Sequence, residues 1–122
     1  MMAQTEAFLK EWGLWEKKEV LLKNLSYGDQ RLVEVILALA TRPNLLLLDE
    51  PTAGLSPAET SLMVSTIKGL PADISIVMIE HDMDVAFEIA QQITVLHFGS
   101  VLVEGPPEQI KGNPQATKIY LG

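Results

Sequence analysis

The sequence predicts an α/β protein with a parallel sheet flanked by helices and a β-hairpin near the carboxyl end. Two apolar runs without a polar face, residues 45–48 and 74–79, are typical of strands buried on both sides. Helical patterns lie before, between and after these runs, and strands that alternate with helices form parallel βαβ units. The 122 residues fit one domain, and 48% hydrophobic residues with 20% charged residues indicate a globular chain.

Composition excludes several functional classes. The chain has 16 Asp and Glu residues against 9 Lys and Arg residues, so its net charge of −7 would repel a phosphate backbone and nucleic acid is not an expected partner. It has no cysteine, which excludes disulfides, thiol nucleophiles and cysteine-ligated zinc. The sequence shows neither a signal-peptide pattern nor an apolar run approaching the ~20 residues of a membrane helix, so a cytoplasmic location is expected.

The amino-terminal third predicts two helices. The first covers residues 5–13, and a mixed, charged stretch follows over residues 14–24. Ser26 is placed to cap the second helix, because its hydroxyl oxygen can accept a hydrogen bond from the first turn. That helix is expected to end near residue 41, since the residue before Pro43 is disfavoured in helical geometry.

A strand and a helix are predicted in the middle of the chain. Residues 45–49 read as a strand buried on both sides, followed by a loop over residues 50–55. Residues 56–59, Ser-Pro-Ala-Glu, are a strong helix start with a capping serine, a proline at the first helical position and a glutamate that completes a capping box. This helix is expected to run to Lys68.

The remainder of the chain predicts a second strand, a helix, a hairpin and two short helices. In order these are strand 74–79, helix 83–91, hairpin strands 93–98 and 101–104 around a Gly99-Ser100 turn, and helices after Pro106 and after Asn113-Pro114.

Acidic residues close the first predicted strand. In parallel sheets, ligands bind beyond the carboxyl ends of the strands, where Asp49 and Glu50 stand. Asp49 could ligate Mg²⁺, which prefers oxygen ligands, and Glu50 could polarise a water molecule for attack on a phosphoryl group. A purely structural explanation is about equally plausible for the two residues alone, because acids commonly end a strand in solvent.

Two further positions carry candidate chemistry. His81 follows the second strand as Glu50 follows the first, and could contact a phosphate oxygen; an ordinary surface or core histidine is the alternative. Ser26 and Gly28 open a helix where a hydroxyl group and closely approached backbone N–H groups favour an anion. An ordinary N-cap is the alternative there.

Four motifs that occur in order favour the functional explanation of these residues over the structural one. They are LSYGDQ at residues 25–30, LLLLDEPT at 45–52, AGLSPAE at 53–59 and IEHDM at 79–83. Together they closely resemble the second half of an ABC-transporter ATP-binding domain, over nearly the whole chain. The resemblance implies part of a P-loop NTPase-like sheet, with residues 1–43 in the helical subdomain and residues 44–122 carrying the Walker B, D-loop and switch-histidine portion.

The resemblance implies a role for each matching residue toward ATP held by the same domain. Residues 45–49 resemble the Walker B strand, in which Asp49 would bind Mg²⁺. Glu50 resembles the catalytic glutamate that acts as the base, and His81 the switch histidine that senses the γ-phosphate.

Other matching residues would face a partner subunit, because family members work in pairs with ATP at their interface. Ser26, Gly28 and Gln30 resemble the signature motif and would contact the ATP of the partner, while Ser56 lies in the D-loop. The resemblance also implies membrane permease partners and a position at the inner face of the plasma membrane. The detailed strings look most like importers of branched-chain amino acids, although polar-amino-acid, urea and lipid-exporter systems carry related ones.

The phosphate cradle of the family, G-x-x-x-x-G-K-[ST], does not occur in these 122 residues. The resemblance therefore implies that the amino-terminal half of a complete domain is absent, and that this chain alone neither hydrolyses ATP nor binds it well. Incompletely covered strands predict a dimer or higher oligomer. The alternative function is a non-catalytic interaction module or gene remnant that oligomerises.

Two departures from the family pattern stand out. Leu32 and Leu37 occupy positions where signature helices usually carry basic residues, a change that could reflect drift or could bury the helix further. Ser56 replaces an aspartate of many relatives, which puts coupling between the two ATP sites in doubt.

Overall fold

The computed structural model describes residues 2–121, which form two compact units: the first extends to Ile79 and the second begins at Glu80. The elements are α1 (Met2–Glu11), α2 (Tyr27–Ala40), β1 (Leu45–Asp49), α3 (Pro57–Lys68), β2 (Ser75–Ile79), α4 (Met83–Ile89), β3 (Ile93–His97), β4 (Ser100–Gly105), α5 (Pro107–Lys111) and α6 (Pro114–Tyr120). This order confirms the predicted α/β class. Over residues 2–121, no helix has both the length and the apolar character needed to cross a membrane.

The amino-terminal helix is longer than expected. α1 starts at Met2 rather than near residue 5, because methionine, alanine and glutamine at residues 2–4 all favour helix. It ends at Glu11, and Gly13 then adopts a φ of +71°, which turns the chain. Two short 3₁₀ helices, Trp15–Lys17 and Leu22–Asn24, occupy the stretch that had no predicted regular structure.

Helix α2 forms as predicted and supplies much of the first core. The Ser26 side chain caps it, and the helix ends at Ala40. Leu32 is buried at 2% exposure, whereas Leu37 is 63% exposed. The apolar change at residue 32 therefore deepens the core, and the one at residue 37 does not. The core side chains of the first unit are Trp12, Leu14, Leu32, Val35, Ile36, Leu39, Leu46, Met63, Val64 and Ile67.

Strands β1 and β2 pair in parallel, with Leu47 opposite Val77 and Asp49 opposite Ile79. The prediction that β1 is buried on both sides is wrong. Only one face is covered: Leu46 is buried, whereas Leu47 is 68% exposed. Alternate side chains of the pair share the uncovered side, which we call the open sheet face and define as Leu45, Leu47, Val77 and Ile79.

Helix α3 follows the sequence closely. Ser56 and Glu59 form the predicted capping box, Pro57 is the first helical residue, and the helix ends at Lys68. The helix packs into the first unit through four buried residues, Met63, Val64, Thr66 and Ile67.

The second unit has a small core of its own, built from Ile93, Ile110 and Ala116. Its hairpin differs from the prediction by one residue. The two turn residues are Phe98 and Gly99, with φ of +48° and +76°, while Ser100 already pairs with His97. Positive φ at both central positions is the requirement of a type I′ turn, and Gly99 meets it as the second residue rather than the first. Helix α4 ends at Ile89 instead of residue 91, because Ala90 is extended.

Candidate functional site

The predicted signature residues lie at the amino end of α2. The Ser26 Oγ atom accepts a hydrogen bond from the Asp29 backbone N–H at 3.1 Å, which makes it the cap of the helix. The Gln30 Nε2 atom donates to the carbonyl oxygens of Leu22 and Leu25, each at 3.1 Å, and so ties the preceding 3₁₀ helix to α2. Both side chains therefore hold the local backbone in shape.

Gly28 is buried against a carboxylate of the same chain. A Cβ atom placed on Gly28 would lie 2.6 Å from Oε1 of Glu59, far inside van der Waals contact. The second oxygen of Glu59 accepts the Ser56 backbone N–H at 2.9 Å, and Ser56 Oγ accepts the Glu59 N–H at 3.3 Å. Because residue 28 has no side chain, the Glu59 carboxylate can lie against its Cα atom.

Hydrogen bonding lowers the pKa of Glu59. The backbone N–H of Ser56 is the largest cause, followed by the Ser56 hydroxyl, and the Gly28 N–H adds a smaller effect. Partial desolvation and the negative charge of Asp29 oppose them. The charged carboxylate therefore joins the first turns of α2 and α3.

A second contact joins these two segments. Gly54, in the loop before α3, has a φ of +76°, and a Cβ atom placed there would approach the Tyr27 ring at 3.2 Å. The predicted signature residues Ser26 and Gly28 are therefore brought together with Ser56, the predicted D-loop residue.

Asp49 is the last residue of β1, and a tight turn that begins at Glu50 follows it. Glu50 has a φ of +47°, an uncommon conformation for a residue with a side chain. Its N–H donates to the Ile79 carbonyl at 2.8 Å, and its own carbonyl accepts the Ala53 N–H at 3.1 Å. The turn presents an exposed Asp49 and a half-buried Glu50 side by side.

Arg31 connects α2 to this turn. Its Nη2 atom donates to the Glu50 carbonyl at 3.1 Å and, at 3.4 Å, to that of Asp49. Its Nη1 atom forms an ion pair with Glu34 at 2.7 Å. One helix end thus contacts both the turn after β1 and the loop before α3. A groove of about 240 Å³ lies beside the turn, and its lining includes Arg31, Asp49 and Met63.

Asp49 fits a metal ion whose other ligands are water and oxygen atoms of a bound phosphate. Asp49 is an exposed carboxylate at a strand end, and Mg²⁺ is usually held by one or two carboxylates together with water and phosphate oxygens. Among residues 2–121, no group of three His, Asp or Glu side chains is placed to hold a metal ion by itself.

His81 belongs to the second unit, at its amino end. The Glu80 carboxylate accepts the backbone N–H groups of His81 at 3.0 Å and Asp82 at 3.2 Å. Asp82 in turn caps α4, accepting the N–H groups of Asp84 and Val85. These bonds fix the backbone that carries the exposed His81.

Two site contacts were not found by sequence reasoning. The capping-box pattern predicts the bond between Ser56 and Glu59, but nothing local connects Glu59 with Gly28. Arg31 follows the signature motif directly, yet the carbonyls it bonds are 18 and 19 residues further along the chain. Only the tertiary packing of α2 on β1 brings them together.

Comparisons with known proteins agree with this arrangement. The family model described as ABC transporter matches residues 1–53. The chain is 41% identical over 128 aligned positions to the high-affinity branched-chain amino acid transport ATP-binding protein LivG of Escherichia coli K12, covering 98% of this chain and 50% of that protein. It is 40% identical to the corresponding protein BraF of Pseudomonas aeruginosa, covering 94% and 46%.

The chain is also similar to a solved structure of an ABC-transporter protein. The chain superimposes on MJ1267, an ATP-binding cassette of an ABC transporter, with a TM-score of 0.86 at 26% identity, covering 99% of this chain and 50% of that one. The chain therefore spans about half the length of the relatives it matches. By sequence and fold, the chain is similar to about half of an ABC-transporter ATP-binding protein.

Proposed function

We propose that this chain is the carboxy-terminal, catalytic-glutamate-bearing part of the ATP-binding subunit of an ABC importer. The observation that carries the proposal is the turn at the end of β1. There a parallel strand delivers Asp49 and Glu50 side by side, and two backbone hydrogen bonds together with one from the Arg31 side chain hold Glu50 in a left-handed conformation. Backbone strain of this kind clusters at functional sites.

Within the proposal, Asp49, Glu50 and His81 would act on the same ATP molecule. Asp49 would ligate the Mg²⁺ that accompanies the nucleotide. Glu50 would orient and deprotonate the attacking water, and His81 would contact the γ-phosphate. Mg²⁺ would supply charge neutralisation on the phosphate oxygens.

The signature and D-loop residues would face a second subunit. Ser26, Gly28 and Gln30 would approach the ATP bound there, and Ser56 would lie at the junction between the two sites. The partner is a second ATP-binding subunit or a second copy. Membrane permease subunits would hold the pair at the inner face of the plasma membrane. The division into a helical part, residues 1–43, and a catalytic part, residues 44–122, belongs to the same proposal.

The proposed cargo is branched-chain amino acids. LivG and BraF, at 41% and 40% identity, are both named for the transport of these solutes.

The 122-residue chain alone should not turn over ATP. No G-x-x-x-x-G-K-[ST] sequence occurs in it, and the backbone N–H groups and lysine of such a loop make most contacts with the β- and γ-phosphates. The purified chain, with no other polypeptide added, is expected to show no hydrolysis above that of a Glu50→Gln variant. A stoichiometric turnover that Glu50→Gln abolishes would contradict this expectation.

The decisive experiment adds a second polypeptide that carries the G-x-x-x-x-G-K-[ST] loop. The purified chain is mixed with a separately expressed amino-terminal half of a LivG-type relative, and ATP binding and hydrolysis are measured for each part and for the mixture. Hydrolysis only in the mixture, lost in Glu50→Gln, is the expected result. A folded mixture that binds ATP no better than the amino-terminal half alone would contradict the proposal.

A second candidate is a non-catalytic interaction module. The open sheet face favours it, since its four apolar side chains are between 51% and 68% exposed. Contiguous apolar surface of this kind marks interaction sites. Self-association without any nucleotide effect in the mixing experiment would favour this candidate.

A further inference from the structure

The backbone N–H and carbonyl of Glu50 take part in three hydrogen bonds, whose partners come from three different parts of the first unit. Its N–H donates to Ile79 at the end of β2, and its carbonyl accepts Ala53 N–H from the following loop. The third is the guanidinium group of Arg31 on α2, at 3.1 Å from the same carbonyl. Of the three, only the Arg31 bond comes from a side chain.

The conformation that these bonds maintain is unfavourable in isolation. A residue with a side chain is disfavoured at positive φ, so Glu50 would relax toward ordinary geometry without compensation. Relaxation would turn the Glu50 side chain away from its present direction, because the backbone torsion sets where Cβ points. The compensating bonds therefore determine the direction in which the Glu50 side chain leaves the backbone.

Arginine is suited to this task by its shape. The guanidinium group is a planar fork of donors, so one arm can bond a carbonyl while the other pairs with a carboxylate. Here Nη1 pairs with Glu34 at 2.7 Å, which fixes the plane of the group while Nη2 reaches the turn. A lysine has a single ammonium and cannot keep both contacts in that geometry.

We propose that Arg31 is a positioning residue for Glu50, fixing the left-handed turn so that the carboxylate points where a catalytic base is needed. This inference rests on the proposed function for its catalytic meaning. Its structural part concerns the chain alone. The proposal also assigns a cis role to the helix that carries the signature residues: the helix holds the catalytic turn of its own chain.

The first test is made on the 122-residue chain by NMR. Residues at positive φ give a strong amide-to-Hα NOE within the residue, and Glu50 should show it in the unchanged chain. In Arg31→Lys and Arg31→Gln this signal should weaken, and the Ala53 amide should exchange about tenfold faster, as expected for the loss of one charge-assisted hydrogen bond.

Lys17→Gln is the matched control. It removes a cation that pairs with Asp29 on the same helix end, at 2.6 Å, yet makes no bond to the turn. Both signals should stay unchanged in this variant. If Arg31→Lys also leaves both signals unchanged, the proposal is overturned. Arg31→Lys retains charge and bulk, so it decides the question even if Arg31→Gln fails to fold.

The second test uses the mixture with the amino-terminal half. Misplacement of a catalytic group by about 1 Å can cost about 100-fold, so Arg31→Lys should lower kcat by about 10- to 100-fold with the KM for ATP unchanged. Lys17→Gln should match the unchanged chain. A displaced Glu50 turn with normal kcat would overturn the positioning role. If the unchanged chain gives no turnover, the proposed function fails, while the NMR result still decides whether Arg31 holds the turn.

Discussion

Glu59 explains at the residue scale why residue 28 is a glycine. Its carboxylate fills the space where a side chain would stand, 2.6 Å from the position of an added Cβ atom. The glycine that the signature motif would use to approach a phosphate therefore also packs against a side chain of its own chain, and a larger residue there would displace the Glu59 carboxylate.

The charge of Glu59 makes stability depend on pH. Its native pKa is lowered chiefly by the Ser56 backbone N–H, so folding favours the ionised form. The resulting stabilisation is present above the ordinary glutamate pKa of about 4.3 and is lost as pH falls through the lowered native value. The wild-type chain should therefore lose more stability than Glu59→Gln between pH 5 and about pH 3, as measured by urea unfolding. Parallel curves for the two proteins would show that the carboxylate contributes nothing.

A double-mutant cycle tests the contact between Gly28 and Glu59. Alanine is the better helix former by about 1 kcal/mol, so Gly28→Ala should stabilise α2 by up to about that amount when Glu59 is alanine. With Glu59 present, the new methyl group displaces the carboxylate and this gain should disappear, leaving a coupling of about 1 kcal/mol by chemical denaturation. Gly69→Ala serves as the control, because its Cβ would meet its nearest neighbour at an ordinary 3.4 Å. Additive effects of the two changes would refute the contact.

At the scale of elements, the helix starts that a side chain caps were the most predictable features. The caps at Ser26 and Ser56 were confirmed because each depends on a side chain and a backbone group three residues apart. Local chemistry also placed α3 and α6 accurately. The hairpin turn was one residue off, since the sequence indicates a glycine with positive φ but not which of the two turn positions it occupies.

Removal of the α3 cap should be measurable. Ser56→Ala deprives the Glu59 N–H of its acceptor and should cost about 1 kcal/mol of unfolding free energy. Ser56→Asp, which restores the residue type of many family members, should keep most of that stability. Ser61→Ala, on the surface of the same helix, is expected to change stability by less than about 0.5 kcal/mol. A cost at residue 61 equal to that at residue 56 would argue against the capping box as the cause.

Burial of β1 was predicted wrongly for a reason that belongs to tertiary structure. A run of four leucines indicates that both faces of a strand can be buried, but not whether other segments are present to cover them. Leu46 is buried and Leu47 is exposed although the two residues are chemically identical. The contact of Arg31 with Glu50 was missed for the same reason, because it depends on how α2 packs against β1.

At the scale of the whole molecule, the open sheet face is the feature that bears on association. The chain spans about half of the relatives it matches, and its two parallel strands expose Leu45, Leu47, Val77 and Ile79. Adjacent apolar side chains in register on a strand pair attract a second apolar surface. The acidic net charge of −7 opposes close approach of two copies, so association should strengthen with added salt.

Self-association through the open sheet face is therefore the expected behaviour of the isolated chain. Sedimentation velocity should show a dimer or higher oligomer whose share rises with protein concentration. Leu47 and Val77 lie opposite each other at the centre of the face, so Leu47→Ser with Val77→Ser should shift the equilibrium toward monomer by about tenfold or more. Phe98→Ser is the matched control, because Phe98 is 94% exposed but lies at the hairpin tip of the second unit. A chain that stays monomeric at all concentrations, or one whose association only Phe98→Ser weakens, would place the interaction elsewhere and remove the main support for an interaction module built on the sheet.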